Sequence, residues 1–290
     1  MAKNRDGGMK ARRMTADVIT YIFLAVMCVV WLMPFVWVIA QSFRDGKGQF
    51  ISTFLPTAWT FNNYKALFTE SHVINFPRMF ANTFFVATCS CIVSTFFVLA
   101  VSYCLSRVKW KMRKPYMNTA MVITLFPGFM SMVAVYFILK ALGMTEGDKI
   151  YLSLIICYSS GAGVGFHVMK GYMDTIPKAL DEAAMIDGCT RWQVFTKITL
   201  PMCKPMIVYQ VITSFMGPWM DFIFAKVIAG AKSQYWTVSI GLFNMLEKEY
   251  VDTWFVRFCA GAVLVSIPIA TLYLLTQKMY QEAMSGAVKG

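Results

Sequence analysis

Charge is scarce in this chain. Only 14% of the residues are Asp, Glu, Lys or Arg, against about a quarter in soluble domains. Histidine is nearly absent: His72 and His167 stand alone. No His-Glu-x-x-His run, paired carboxylates or nucleophile–base set is found, so an intramembrane enzyme ranks last among the readings. No Gly-x-x-x-x-Gly-Lys-Ser/Thr phosphate loop is present either. Gly161-Ala162-Gly163-Val164-Gly165 is glycine-rich, but it lies inside an apolar run and lacks the lysine ending. Its Gly161 and Gly165 form a small-xxx-small pair that suits close helix packing in lipid. Any nucleotide hydrolysis must therefore occur on another polypeptide. The eight cysteines have no metal-site spacing and read as small apolar packing residues. Repeats and low-complexity tracts are missing, which leaves one domain.

Long apolar runs are abundant. The chain is 58% hydrophobic with a mean hydropathy of +0.55, the balance of a bilayer protein. Runs of about 17–25 apolar residues cross a membrane as helices. Six are predicted, near Val18–Ala40, Phe84–Leu105, Tyr116–Leu139, Ile150–Met169, Met206–Ile228 and Phe258–Thr276. The fold class expected is an all-α membrane protein with six transmembrane helices. Segment 1–17 is then one tail, 18–277 the spanning domain and 278–290 the other tail. Residues 41–82 form an external loop with turn chemistry and short helices.

Lys and Arg crowd the amino-terminal segment, the loop holding Arg107, Lys109, Lys111, Arg113 and Lys114, and the loop holding Lys170, Lys178, Arg191, Lys197 and Lys204. Glu70, Glu146, Asp148, Glu247, Glu249 and Asp252 lie on the other side. Cytoplasmic loops carry excess Lys and Arg, so both termini are expected in the cytoplasm. The net charge of +12 is then topology, with no call for nucleic acid.

Between the fourth and fifth runs lies a polar stretch with helix signals. Pro177 suits a first helical turn, and Asp181 and Glu182 suit the positive end of the helix dipole. Gly188 suits a C-cap. Thr190 and Gln193 have capping-box spacing, and Trp192, Phe195 and Ile198 share one side. Leu200-Pro201 is expected to end the second helix, and Pro205 to open the next span. Asp187 and Arg191 are spaced to pair at i, i+4. A helix–turn–helix hairpin over about 174–204 follows. Ala183, Ala184 and Gly188 are small enough to admit another surface. The bland alternative is an amphipathic loop resting on its own bundle.

Glu182-Ala183-Ala184-x-x-Asp187-Gly188, with Phe195, Ile198, Leu200-Pro201 and Pro205, resembles the EAA loop of ABC-importer permeases. The family usually has Ala where this chain has Cys189. Asn62-Asn63-Tyr64, Lys170–Pro177, Gly217–Phe222 and Gly286-Ala287-Val288-Lys289-Gly290 extend the resemblance along nearly the whole chain. They make it similar to the MalG-type subunits of maltose and maltodextrin importers. The resemblance implies a type I ABC importer (MetI-like) permease fold in the cell membrane and no catalysis on this chain. It implies a second, MalF-like permease, an ATPase dimer that holds ATP and Mg, an extracellular or periplasmic solute-binding protein and an oligosaccharide substrate. By the same likeness, Glu182, Ala183, Ala184, Asp187, Gly188, Phe195, Leu200 and Pro201 couple to the ATPase. Gly286, Ala287, Val288 and Lys289 reach it as a second contact, and the loop from Lys232 to Trp254 meets the binding protein.

A sugar path needs polar and aromatic side chains inside the bundle. Candidate pore or gate residues are Asn82, Tyr136, Gln210, Ser214, Trp219 and Asp221. Asp221 stands out, because an acid at membrane depth faces a cavity or a partner. Lys226, at i+5, is poorly placed to be that partner. A self-sufficient ion-coupled carrier remains the competing reading, since Gly and Pro interrupt the fourth and fifth runs.

Overall fold

A computed structural model describes residues 5–46, 48, 53–71, 74–125, 128–160 and 162–287. The chain is built from helices: α1 (Arg5–Ser42), α2 (Asn62–Thr69), α3 (Phe76–Arg107), α4 (Arg113–Thr124), α5 (Gly128–Ala141), α6 (Lys149–Ser160) and α7 (Ala162–Thr175). They continue with α8 (Lys178–Ile186), α9 (Arg191–Val194), α10 (Leu200–Met202), α11 (Lys204–Met220), α12 (Ile223–Ala229), α13 (Val238–Met245) and α14 (Val251–Ala287). A π-helical turn, Phe195–Thr199, joins α9 to α10. No strand occurs among the described residues, beyond one isolated bridge between Arg44 and Trp59.

The contacts divide into two compact units. In the first (Met1–Ala66 with Met245–Val263), the segment after α1 is stitched by side chains. The Asn63 amide donates to the carbonyls of Ser42 and Arg44 at 2.9 and 2.8 Å. The Ser42 and Tyr64 hydroxyls meet at 2.7 Å, and Gln41 donates to the Phe54 carbonyl. The Asn62-Asn63-Tyr64 triplet thus anchors an ordered loop.

In the second unit (Leu67–Asn244 with Leu264–Gly290), α3 is the central helix, and α6, α7 and α11 pack on it. Its buried face reads Val86, Ala87, Ser90, Ser94, Val98 and Ser102, small residues at helical spacing that let backbones approach. Ser102 donates to the Phe166 carbonyl of α7 at 3.1 Å. A Cβ on Gly165 would lie 3.0 Å from Gln210 Oε1 and 3.5 Å from Val98. The absence of a side chain there sets the spacing of α7 against α3 and α11. Gly161, the other member of the pair, lies outside the described residues.

Helices occupy all six predicted runs, but only three described ones are singly long and apolar enough to span: Met14–Ser42, Phe76–Arg107 and Val251–Met279. The fourth run is a bent pair, α6 with α7. The fifth is α11 with α12, bent by 60°. The third is described as α4 and α5. Boundaries also move outward. Asn75 Oδ1 caps α3 through the Arg78 amide at 3.1 Å, with Pro77 in the first turn, so Phe76-Pro77 starts a helix instead of making a loop turn. Part of the predicted first tail belongs to α1, and α14 continues to Ala287, because extending a helix costs less than nucleating one.

Asn82 is fully engaged inside this unit. Its amide donates to the carbonyls of Gln234 and Trp236, both at 3.0 Å, and its Oδ1 accepts from the Tyr151 hydroxyl at 2.7 Å. This pore candidate ties α3 to α6 and the segment before α13, with both amide hydrogens used and the side chain buried. Replacing it with Leu strands two carbonyls and a hydroxyl, at about 1–3 kcal/mol for each buried group left unmet. Asn82→Leu is expected to lower the melting temperature of the detergent-solubilised protein. An unchanged midpoint would show that water already serves those carbonyls.

Candidate functional site

The hairpin forms as two capped helices. α8 starts after Pro177, which caps it from just outside the first turn. It ends in a Schellman motif: the Cys189 amide donates to the Ala184 carbonyl at 2.9 Å, and the Gly188 amide to the Met185 carbonyl at 3.2 Å. Gly188 has φ +85°, a left-handed backbone that costs a side-chain-bearing residue about 1–2 kcal/mol. Thr190 and Gln193 complete the capping box, each side chain accepting from the other's backbone amide. The expected Asp187–Arg191 pair is not among the described ion pairs; the backbone motif holds this turn.

Leu200-Pro201 does not end the second helix. The Leu200 amide donates to the Phe195 carbonyl five residues back, and this π-turn loosens the ladder just before Pro201, which sits in the first turn of α10. The break falls at Cys203 instead.

The two faces of α8 have different partners. Asp181 and Ala184, at i and i+3, are buried, whereas Glu182, Ala183, Asp187 and Gly188 are exposed. Ala184 therefore packs inward, a correction to its expected place on an outer surface. Ile186, at i+4 from Glu182, is 86% exposed, and Trp192 is 67% exposed. Phe195 is half-buried and packs on both Tyr103, with ring centroids 4.6 Å apart, and Trp192, at 5.6 Å, so it links the exposed Trp192 to the bundle. Leu200 is half-buried and Pro201 exposed. Periodicity alone did not single out Ile186, although its i+4 relation to Glu182 carried the signal.

A buried ion pair fixes the hairpin to the bundle. Arg107, the last residue of α3, places Nε 3.0 Å from Asp181 Oδ2, and the two side chains are 5% and 10% exposed. The contact is close but lacks hydrogen-bond alignment, since Arg107 Nε has no hydrogen-bond partner. Arg107 Nη2 donates to the carbonyls of Met173 and Ile176 at 3.0 and 2.9 Å, at the carboxy-terminal end of α7, where the helical ladder runs out of donors. Ser106 adds a 2.6 Å bond to Asp174.

The inner helices enclose a second feature, a groove of about 280 Å3. Ser94, Tyr158, Tyr209, Gln210, Thr213 and Ser214 supply its polar lining. Gln210 donates to the Ser94 hydroxyl at 3.2 Å. The Ser214 hydroxyl returns to the Gln210 carbonyl at 2.6 Å, the usual habit of serine in a spanning helix. Trp219 is elsewhere: it is 3% exposed and packs on Phe80 and Phe215. Tyr136 neighbours Phe137 and does not line this groove.

Asp221 sits at the bend between α11 and α12. Pro218 weakens the ladder of α11, and Asp221 leaves the helix in an extended conformation. Its carboxylate then accepts from the amides of Phe224 and Ala225, both at 3.2 Å, and from the Tyr158 hydroxyl at 2.6 Å. Its own carbonyl accepts from Ser239 at 2.6 Å. Lys226 turns away, 4.0 Å over the Trp236 ring. The acid caps α12 and latches it to α6. Of the carboxy-terminal contact residues, Gly286 and Ala287 fall within α14, and Val288 and Lys289 lie outside the described residues.

In a double-mutant cycle, Tyr158→Phe and Asp221→Asn are expected to show a stability coupling of about 0.5–3 kcal/mol. Additive effects on the melting temperature would mean that the 2.6 Å contact contributes nothing.

Comparison with known proteins places this geometry. Residues 94–285 match the model of the family described as binding-protein-dependent transport system inner membrane component. The galactooligosaccharides transport system permease protein GanQ of Bacillus subtilis is 31% identical, over 97% of this chain and 99% of that protein. The maltodextrin transport system permease protein MdxG of the same organism is 28% identical, over 96% and 98%. A crystal structure of a bacterial ABC transporter involved in the import of the acidic polysaccharide alginate superposes with a TM-score of 0.75. It is 19% identical and covers 92% of this chain and 97% of that one, which supports the all-α ABC importer permease fold. The resemblance to sugar-importer permeases seen in the sequence is borne out, and the chain belongs to the binding-protein-dependent transport system inner membrane component family.

Proposed function

We propose that this chain forms half of the translocation pore of an ATP-driven importer for oligosaccharides, and that its α8–α9 hairpin is the docking point for a separate ATPase. The observation that carries this reading is the outward face of the hairpin. Ile186 and Trp192 present large apolar surfaces beside Glu182 and Ala183, with Leu180 and Met185 also exposed, on a loop between spans. Exposed apolar surface rimmed by charge marks a protein contact. Gly188 supports the same reading, because nothing in the chain lies within 4 Å of a Cβ built there. The turn leaves open space for a partner.

In this reading, ATP and Mg belong to the ATPase, and both termini and the hairpin face the cytoplasm. The second permease is a MalF-like chain. Gly286, Ala287, Val288 and Lys289 supply a further ATPase contact. A solute-binding protein meets the opposite face near Glu247, Glu249 and Asp252, which are exposed. Tyr235 and Trp236 are poor contacts for it, since Tyr235 is buried against Tyr151 and Trp236 holds Lys226. The names of GanQ and MdxG support an oligosaccharide cargo. Malto-oligosaccharide is our choice on the whole-chain likeness, with galacto-oligosaccharide the nearest rival. Gln210, Ser94 and Tyr209 are the groove residues best placed to meet sugar hydroxyls.

The ion-coupled carrier fits less well. Asp221 is committed to two amides and Tyr158, which leaves it poorly suited to carry an ion through a cycle.

Ile186→Asp and Glu182→Lys are each expected to reduce binding-protein-dependent uptake at least tenfold (about 1.4 kcal/mol of lost coupling) while membrane abundance stays normal. Ile186→Cys should cross-link to the ATPase subunit. Normal uptake in both charge variants, or oligosaccharide transport by the purified chain under an ion gradient alone, would overturn the assignment.

A further inference from the structure

We infer that a basic cavity beside the hairpin holds the phosphate head group of an anionic phospholipid. The cavity, of about 300 Å3, lies among the end of α3, the start of α4 and the α8–α9 hairpin. Five cationic side chains line it: Arg107, Lys109, Arg113, Lys178 and Arg191. Two carboxylates line it with them, Asp181 and Glu182; Asp181 faces Arg107, and Asp174, outside the lining, feels the charge of Arg113. A surplus of positive charge therefore faces a concave space.

Arg107 supplies the second, independent observation. Its side chain is 5% exposed, and Nη2 is satisfied by two carbonyls. Its Nη1 has no hydrogen-bond partner. That donor is enclosed by the protein, so Arg107 acts on the cavity through its charge, and the half-buried Arg113 with the exposed Lys178 and Arg191 offers the donors that a phosphate oxygen meets with charge-assisted bonds.

The position favours a lipid over an acidic protein segment. Arg107 closes the 32-residue apolar span of α3, so the cavity sits where a membrane ends. Trp110 and Tyr116, paired at 6.2 Å, are both partly exposed beside it, as interfacial aromatics are. Met112 is exposed between them, which offers apolar surface for the acyl chains. Basic pockets between spanning helices at this level select anionic head groups.

The experiment uses the full-length chain in nanodiscs of phosphatidylcholine with a minor fraction of phosphatidylglycerol. Retained lipid is then read by native mass spectrometry. The wild-type protein is expected to retain phosphatidylglycerol over phosphatidylcholine by about tenfold, and the pair Arg113→Gln with Lys178→Gln to lose most of that preference. A control pair elsewhere in the same unit, Lys140→Gln with Lys149→Gln, should keep it. Equal preference in both pairs, or equal loss in both, overturns the site. Full displacement by millimolar inorganic phosphate would assign the cavity to a free anion and overturn the lipid. If the Arg113/Lys178 pair kept its lipid but lost co-purification with the ATPase, the cavity would instead serve an acidic protein segment.

Discussion

The placement of the hairpin depends on one guanidinium. Arg107 ends the central helix α3, meets the carbonyls at the end of α7 and faces Asp181 of α8. Three elements far apart in sequence converge on this single side chain. Removing one partner of a buried pair costs about 3–5 kcal/mol, because the other charge stays buried and alone. These contacts join α8 to α3 and α7 directly. Phe195 on Tyr103 adds an apolar contact between the second helix of the hairpin and the same central helix.

Asp221 plays the corresponding part at the bend of the fifth span. A carboxylate at membrane depth is costly, yet here it has three hydrogen-bond donors. It substitutes for the backbone ladder where Pro218 and the extended residue interrupt it. The groove beside it is lined by hydroxyls and one amide, several of which already bond to their own helix.

Several expectations were met because their causes are local. Gly188 at a helix end and Thr190 with Gln193 three residues on signal caps wherever they occur, and both caps formed. Others failed because their causes are not local. The Asp187–Arg191 spacing was suitable, but the pair does not form, and Asp181 finds Arg107 from another helix. Asn82 and Trp219 had pore-like chemistry, yet tertiary neighbours turned one into a strut and the other into core. Ala184, taken for an outward residue, packs inward. Leu200-Pro201 seemed a stop, until the π-turn before it absorbed the proline.

By itself, the sequence determined that this is a helical membrane protein, that it carries no Gly-x-x-x-x-Gly-Lys-Ser/Thr motif, and that a capped hairpin interrupts the apolar runs. Those properties follow from hydropathy, motif content and short-range backbone hydrogen bonding, which need no knowledge of distant neighbours. Only the tertiary structure decided which face of the hairpin is free, which charges pair, and where the spans bend. Each of these depends on residues separated by dozens of positions, Arg107 with Asp181 and Tyr158 with Asp221. A side chain's partner in a bundle is set by which helices pack together, and periodicity along one helix does not encode that choice.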